Sequence, residues 1–289
     1  MVSQVTQRHV DEYQNDGAVR VEGLFTTAWI EALTQVLDEA IRHVRAGTLP
    51  GQQAAHPVFG AVEFEEHDGY VRMINLLPRQ PVIERLLLAS RAPEVVADVI
   101  GSDSLRLWVD GTFLKEGNAP QTATPWHNDE CTYSLLGEHR PSLWIALTDV
   151  GVDNAPLTTL VGSNRDTWRY HSPFSPQDVP RPPEYKPWQH LVDRVNAPEA
   201  NIRAWAAARG DAIVLHPKTI HGSQPRRANQ NGRRLGFSVR WLGDDVVWLP
   251  TPLNYRAPFD THPLMKLGEA PPEALFPIAW RRDRFAARA

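Results

Sequence analysis

The pattern of apolar and polar residues changes about one third of the way along the chain. Before Leu105, apolar residues recur at helical spacing in several segments. From Leu105 onward, short apolar or alternating runs are separated by turn residues. A spacing of three to four residues indicates helices that bury one face, whereas strict alternation indicates strands. We therefore expect helices to dominate the first third and strands the rest.

The first third is predicted to contain four helices and three short strands. The helix that follows the cap candidates Thr26 and Thr27 has the clearest pattern, because its apolar residues fall on one face. The predicted helices cover residues 5–15, a segment beginning after Thr26 or Thr27, 81–90 and 92–100. The predicted strands cover residues 18–21, 58–64 and 70–76.

The remaining chain is predicted to form a β-barrel. Short strands at this spacing are typical of an antiparallel sandwich or barrel and not of a parallel α/β sheet. The predicted strands cover residues 105–115, 125–133, 142–150, 157–161, 211–216 and 234–242. The expected fold class is mainly β with flanking helices, a double-stranded β-helix of the jelly-roll or cupin-like kind.

We interpret residues 1–289 as a single domain with two added segments. Residues 170–201 contain seven prolines and several aromatic residues, and so long a connection in a compact domain is usually functional or disordered. We predict that it is a lid insertion over a site. Residues 246–289 are rich in proline and tryptophan and are predicted to be a C-terminal extension that wraps the barrel or supports a subunit contact. A homo-oligomeric state is left open.

Composition excludes several classes of protein. The chain has 289 residues, of which 42% are hydrophobic and 22% charged, as in ordinary globular domains. A net charge of −4 argues against nucleic-acid binding. The single cysteine, Cys131, excludes an internal disulfide and fits a reducing cytoplasm. Since neither a signal peptide nor an apolar run of ~18 residues is found, we expect a cytoplasmic protein without a membrane span.

Two residues of one predicted strand have the spacing of metal ligands. Side chains at i and i+2 of a strand leave the same face, so His127 and Asp129 can point at one spot. One distant imidazole would complete a set of two histidines and one carboxylate, the ligands of a non-haem Fe(II) that activates oxygen. His9 and Asp11 have the same spacing, but they lie in a predicted helix, where such residues are ~200° apart.

Two downstream histidines are candidates for the third ligand. His216 ends a buried apolar run, and His221 follows after a short excursion. We prefer His221, because the small residues Gly222 and Ser223 leave room for a bound small molecule. His216 is expected to be packed and hydrogen-bonded.

The strand that follows carries basic and small residues on one face. Alternation places Arg234, Gly236, Ser238 and Arg240 on one side of this strand. A guanidinium inside a barrel needs an anionic partner, and a carboxylate bound through two hydrogen bonds is the best match. A structural salt bridge is the alternative for Arg234. Three further arginines are assigned to solvent: Arg226, Arg227 and Arg233.

Taken in order, these segments resemble the phytanoyl-CoA dioxygenase family of Fe(II)/2-oxoglutarate oxygenases. The resemblance is carried by residues 16–24, 124–129, 144–149, 160–165 and 210–223. It implies that His127, Asp129 and His221 bind Fe(II) and that Arg234 holds the distal carboxylate of the co-substrate 2-oxoglutarate. O2 would be the oxidant.

The resemblance also implies further co-substrate contacts. They are Ser238, Trp144, Thr124 and Asn75. For the last three, a structural role in packing or turn hydrogen bonding is an equal alternative. The family usually has a histidine where this chain has Asn164, which we assign to a turn. Because Asp129 is present, whereas halogenating relatives carry a small residue there, hydroxylation or a related oxidation is favoured.

The expected function is oxidation of a C–H bond in a small hydrophobic or ring-containing metabolite, in a biosynthetic tailoring step. Aromatic residues around the predicted lid support this substrate class. Three alternatives remain open: a 2-oxoglutarate-independent metal cupin enzyme, an acyl-CoA hydroxylase of the same family, and a jelly-roll binding module with a degenerate site. Release of succinate during turnover would separate the oxygenases from the other two.

Overall fold

The computed structural model describes residues 5–53, 56, 58–116, 122–130, 134–174, 183–226, 232–250 and 258–282. Five α-helices lie in these ranges: α1 (Gln7–Asp16), α2 (Thr27–Arg45), α3 (Pro81–Leu88), α4 (Ala92–Ile100) and α5 (Trp188–Val195). The strands are β1 (Ala18–Val21), β2 (Glu63–His67), β3 (Tyr70–Ile74), β4 (Ser104–Lys115), β5 (Thr124–His127), β6 (Leu135–Leu136), β7 (Ser142–Ala146), β8 (Leu157–Leu160), β9 (Arg169–Tyr170), β10 (Tyr185–Lys186), β11 (Ile202–Trp205), β12 (Ala212–Leu215), β13 (His221–Ser223), β14 (Arg234–Leu242), β15 (Val247–Trp248) and β16 (Ile278–Arg281).

Two antiparallel sheets form the body of the molecule. The large sheet has the order β1-β12-β7-β14-β4-β3-β2, with β16 also paired to β4, and the small sheet has the order β11-β8-β13-β5. Apolar side chains from both sheets meet between them, including Trp144 and Ile213 of the large sheet and Leu157 and Trp205 of the small sheet. This arrangement confirms the predicted jelly-roll class.

Four helices cover the outer face of the large sheet. In α2 the Thr26 side chain accepts a hydrogen bond from the backbone nitrogen of Trp29 at 3.3 Å, which caps the helix. The apolar face of α2 is buried in a cluster with residues of α1, α3 and α4 and with one face of β14. Burial of one such side chain, for example that of Leu33 or Leu37, stabilises the folded state by roughly 1.5–3 kcal/mol. The helices therefore hold the large sheet in place and leave its other face for the interior.

Several predicted strand limits were wrong. Residues 58–64 were predicted as a strand, but β2 begins at Glu63, and β7 ends at Ala146 and not at residue 150. β5 ends at His127, and residues 131–133 of the predicted strand lie outside the described ranges. Some short elements were not predicted at all: α5, β11, β13 and β16. Pairing with distant strands stabilises β11, β13 and β16, and packing of Leu191 and Val195 stabilises α5. A local pattern does not reveal such contacts.

The segment 170–201 contains regular structure where its residues are described. β9 and β10 form a parallel pair, and α5 follows them. Leu191 and Val195 of α5 pack into an apolar cluster with Ile220, and Trp188 donates its indole N–H to the carbonyl of Trp126 at 2.8 Å. Residues 175–182 lie outside the described ranges. The described part of the segment is thus attached to the strand that ends at His127.

The C-terminal segment lies against the barrel. β15 pairs with β6, and β16 pairs with β4. Phe259 and Phe276 pack in an apolar cluster with Trp108. Among the described residues, no helix is long and apolar enough to cross a membrane.

The assignment of Arg226 to solvent, made from the sequence, was wrong. Arg226 is buried, and its Nη1 donates to the carbonyl oxygens of Lys115 at 3.1 Å, Glu116 at 2.9 Å and Gly232 at 2.9 Å. Its Nε donates to Asn154 at 2.8 Å. Arg233, in contrast, is half-buried and paired with Asp38, while Arg227 lies outside the described residues.

We expect Arg226→Ala to lower the free energy of unfolding by roughly 3 kcal/mol, because it leaves several buried carbonyl groups without donors. The control Arg233→Ala removes a partly exposed ion pair and should cost less than about 1 kcal/mol. Urea unfolding followed by tryptophan fluorescence measures both. Equal losses for the two variants would contradict the structural role of Arg226.

Candidate metal centre

The pairing of β5 with β13 brings the three predicted metal ligands together. His127 and His221 are directly opposite each other in this antiparallel pair, and their ring centroids are 4.2 Å apart. Asp129 lies two residues beyond His127. One ligand atom from each of His127, Asp129 and His221 lies within 4.8 Å of the others, and all three side chains are buried. A single cation can therefore contact all three.

Backbone carbonyls fix the orientation of both imidazoles. Nδ1 of His127 is 2.8 Å from the carbonyl oxygen of Pro125, and Nδ1 of His221 is 2.8 Å from that of Thr219. A carbonyl oxygen only accepts hydrogen bonds, so Nδ1 must be the protonated nitrogen in each ring. The lone pair is then on Nε2, as in histidines that bind metals.

Asp129 is held at both of its oxygens. Arg240 donates to Oδ1 at 3.0 Å, and Ser142 donates to Oδ2 at 2.5 Å. Burial opposes ionisation of Asp129, but Arg240 and the two imidazoles outweigh it and keep its pKa well below the ordinary value. Burial, together with the neighbouring His221, lowers the pKa of His127 to about 3. At neutral pH this leaves a carboxylate and a neutral imidazole, the forms that bind a metal.

The other candidate histidines have structural partners. His216 lies with Nε2 3.1 Å from an oxygen of Glu138, and its Nδ1 accepts a hydrogen bond from the backbone nitrogen of Lys218. His9 caps the start of α1 together with Thr6. A second possible ligand group is partly exposed and consists of His139, Asp244 and Asp245. The two carboxylates of this group accept hydrogen bonds from backbone N–H groups.

A cavity of about 610 Å³ adjoins the three ligands. All the predicted co-substrate contacts line it: Arg234, Ser238, Trp144, Thr124 and Asn75. Arg234 is only 3% exposed, and no carboxylate lies within ion-pair distance of it among the described residues. Burial lowers its pKa to about 10, so the guanidinium stays charged at neutral pH. The cavity therefore contains a buried cation without a counter-ion in the described protein.

The surroundings of Arg234 are aromatic and tightly packed. Its guanidinium carbon lies 4.7 Å from the centroid of the Trp144 ring. A Cβ at Gly236 would lie 2.6 Å from Nε1 of Trp144, so only glycine leaves space for this ring. Ser238 is opposite Trp144 in the paired strands. The small residue on β14 thus makes room for the indole that supports the arginine.

Thr124 and Asn75 have structural contacts as well as positions on the cavity wall. Thr124 accepts a hydrogen bond from Lys115 at 3.2 Å. Asn75 has a positive φ of 66° and donates its side-chain amide to the carbonyl of Ala61 at 3.2 Å. Asparagine tolerates this backbone conformation better than most residues. The structural alternative considered for Asn75 is therefore supported by its contacts.

Two residues that hold Asp129 were given no role from the sequence. Arg240 was placed on the interior face of its strand but given no role, and Ser142 was only the start of a predicted strand. Phe174 was counted only as one of the aromatic residues of the predicted lid. Phe174 lies edge-on to His127, with ring centroids 4.9 Å apart and an interplanar angle of 81°. The shared face of β14 was a usable signal for Arg240, and the aromatic content of the predicted lid was one for Phe174, whereas nothing local distinguishes Ser142.

The family comparison agrees with this geometry. The model of the phytanoyl-CoA dioxygenase (PhyH) family matches residues 13–235, most of the chain and all three ligands. The chain belongs to this family. No curated protein sequence matches the chain significantly.

Solved structures of similar fold include two enzymes from nogalamycin biosynthesis. The non-haem α-ketoglutarate-dependent carbocyclase SnoK from nogalamycin biosynthesis is 17% identical, with 95% of this chain and 96% of that one covered and a TM-score of 0.69. The epimerase SnoN, solved with Fe³⁺, α-ketoglutarate and nogalamycin RO, is 18% identical, with 95% and 98% covered and a TM-score of 0.64. HygX from Streptomyces hygroscopicus, with nickel, 2-oxoglutarate and hygromycin B bound, is 14% identical, with 82% and 87% covered and a TM-score of 0.56. At these identities the similarity shows a shared fold.

We expect Arg240→Met to weaken binding of Mn²⁺ by this PhyH-family protein by roughly tenfold at pH 7, as is usual for a residue that holds a metal ligand. Without Arg240 the pKa of Asp129 rises, so protons compete with the metal at higher pH and affinity falls earlier as pH decreases. Calorimetric titrations between pH 5 and 7 measure this effect.

Arg282→Met is the matched control, because Arg282 is partly exposed and pairs with Asp98 and Asp103 far from the cavity. It should leave the Mn²⁺ affinity unchanged at every pH. If Mn²⁺ affinity depended on pH in the same way in Arg240→Met and in the unaltered protein, the proposal that Arg240 supports the ionised form of Asp129 would be contradicted.

Proposed function

We propose that the protein is an Fe(II)- and 2-oxoglutarate-dependent oxygenase that oxidises a C–H bond of a small hydrophobic or ring-containing metabolite in a biosynthetic tailoring step. The observation that carries the proposal is the pairing of two features in one cavity. One is a buried group of two histidines and a carboxylate, and the other is the buried Arg234 without a counter-ion.

The ligand set suits Fe(II). Two imidazole nitrogens and one carboxylate on one side of an ion leave positions for further ligands, the pattern found in non-haem iron oxygenases. His127, Asp129 and His221 would hold the metal. With 2-oxoglutarate and O2 it would supply oxidising power, releasing succinate and CO2.

The side chains of this chain would provide binding and orientation. Arg234 matches a planar carboxylate through paired hydrogen bonds and would hold the far end of 2-oxoglutarate. Trp144 stacks on the guanidinium and limits its movement. Ser142 and Arg240 fix Asp129, and the two backbone carbonyls fix the imidazoles. Catalysis here rests on placement of the reacting groups and not on a protein acid or base.

The cavity fits a compact apolar substrate. Its volume of about 610 Å³ lies within the range of small-molecule sites. Aromatic rings line it, namely those of Phe59, Trp108, Phe113, Phe174 and Phe259. The nogalamycin and hygromycin B complexes of SnoN and HygX support a tailoring step, since both proteins share this fold. The carboxylate of Asp129 favours hydroxylation or a related oxidation over halogenation.

An acyl-CoA substrate is less well supported. Its nucleotide phosphates need free cations, and of three basic residues near the predicted lid only Arg165 is exposed, whereas the other two have partners. Lys186 lies 3.9 Å from the Trp168 ring centroid, and Arg169 donates to the hydroxyl of Tyr185 at 3.1 Å. The role of residues 170–201 as a lid, and the cytoplasmic location, remain predictions from the sequence.

Succinate release is the direct test. The purified protein with Fe(II), 2-oxoglutarate and O2 should form succinate above background, and members of a metabolite panel should increase the rate. His221→Ala should abolish succinate formation, whereas His216→Ala should retain it. Turnover of a metabolite without succinate would instead favour the 2-oxoglutarate-independent metal enzyme, and no metal binding at all would favour a binding module.

We expect Arg234→Met to raise the Kd of 2-oxoglutarate at least a hundredfold, because a charged hydrogen-bonded pair is lost. Since Arg234 has no counter-ion in the described protein, its replacement should not lower thermal stability, and Mn²⁺ affinity should stay within about twofold. Arg233→Met, one residue earlier and paired with Asp38, should leave the 2-oxoglutarate Kd unchanged. An unaltered Kd in Arg234→Met would assign that arginine another role.

A further inference from the structure

Lys115 is a second buried basic residue beside Arg234. It is the last residue of β4, is fully buried, and lies directly opposite Arg234 of β14 and Tyr70 of β3. Residues opposite one another in paired strands point to the same face, so both basic side chains point toward the interior. Among the described residues, no carboxylate lies within ion-pair distance of Lys115. Two adjacent positive groups without a counter-ion are costly to bury.

The hydrogen bonds of Lys115 go to two hydroxyl groups on the cavity wall. Its Nζ donates to Oγ1 of Thr124 at 3.2 Å and to Oγ of Ser223. A protonated lysine only donates, so each hydroxyl acts as acceptor toward it and keeps its own hydrogen for another partner. Thr124, Ser223 and Arg234 all line the same cavity. The arrangement presents the cavity with two hydroxyl donors and one guanidinium.

We propose that Lys115 is a positioning residue of the co-substrate site, which turns the hydroxyls of Ser223 and Thr124 toward the terminal carboxylate of 2-oxoglutarate and adds a second positive charge behind them. This inference rests on the proposed function and concerns the part of the cavity around Arg234. A carboxylate has lone pairs enough to accept from Arg234 and from both hydroxyls together.

The electrostatics of the cavity agree with this assignment. Burial, reinforced by Arg234, lowers the pKa of Lys115 well below its ordinary value. A bound carboxylate is the counter-ion that would favour the charged form of the lysine. Tyr70, whose ring centroid is 5.7 Å from Nζ, stays neutral because burial raises its pKa to about 12. The carboxylates of Glu63 and Glu65, which also line the cavity, are already paired with Arg72.

The test is Lys115→Met, which keeps the length of the side chain and removes its charge. Calorimetry on the Mn²⁺-loaded protein without O2 measures the Kd of 2-oxoglutarate, and a separate titration measures the Kd of Mn²⁺. We expect the 2-oxoglutarate Kd to rise at least tenfold while the Mn²⁺ Kd and the unfolding temperature stay near those of the unaltered protein. Lys266→Met is the matched control and should change neither Kd, because Lys266 is exposed and pairs with Glu269.

Two results would overturn the inference. One is a 2-oxoglutarate Kd within twofold of the unaltered protein, and the other is a parallel loss of Mn²⁺ and 2-oxoglutarate affinity, which indicates a purely structural lysine. Should Lys115→Met not fold, Ser223→Ala removes one hydroxyl and should raise the 2-oxoglutarate Kd three- to tenfold. An unchanged Kd in Ser223→Ala would contradict the inference. If the unaltered protein binds Mn²⁺ but not 2-oxoglutarate, the proposed function itself is wrong.

Discussion

The antiparallel pairing of β5 with β13 is the constraint on which the site depends. It places His127 opposite His221, although the two residues are far apart in sequence. A shift of one residue in a strand pair moves every side chain to the other face, so a slip here would send one imidazole out of the cavity. β8 and α5 pack against this pair and resist such a slip. The chemistry of the site is thus secured by apolar packing outside it.

Two groups of charged residues in the cavity lie near opposite ends of β14, one around Arg240 and the other around Arg234. Asp129 is the negative group at the ligand end, and Arg240 and Ser142 hold its two oxygens in place. Arg234 and Lys115 make the other end positive, and Trp144 fills the space that Gly236 leaves. A molecule with a chelating group at one end and a carboxylate at the other matches both ends.

The sequence predicted the features that depend on local periodicity. Alternation placed Arg234 and Ser238 on the interior face of β14, and the i, i+2 spacing placed His127 with Asp129. It did not reveal the features that depend on distant partners. Arg226 and Lys115 are buried with hydrogen bonds to carbonyls and hydroxyls of residues distant in sequence, and a basic residue shows no local sign of such an environment. Likewise β13 has only three residues, two of them poor strand formers, and exists because β5 and β8 lie on either side of it.

The hydrogen bond from the indole of Trp188 to the carbonyl of Trp126 joins α5 to the residue just before His127. The predicted lid segment, residues 170–201, is therefore coupled through this hydrogen bond to the backbone next to a metal ligand. An exchange of this segment between relatives, made to alter substrate range, has to preserve that anchor. A chimera that loses it would be expected to change the reactivity of the iron along with the choice of substrate.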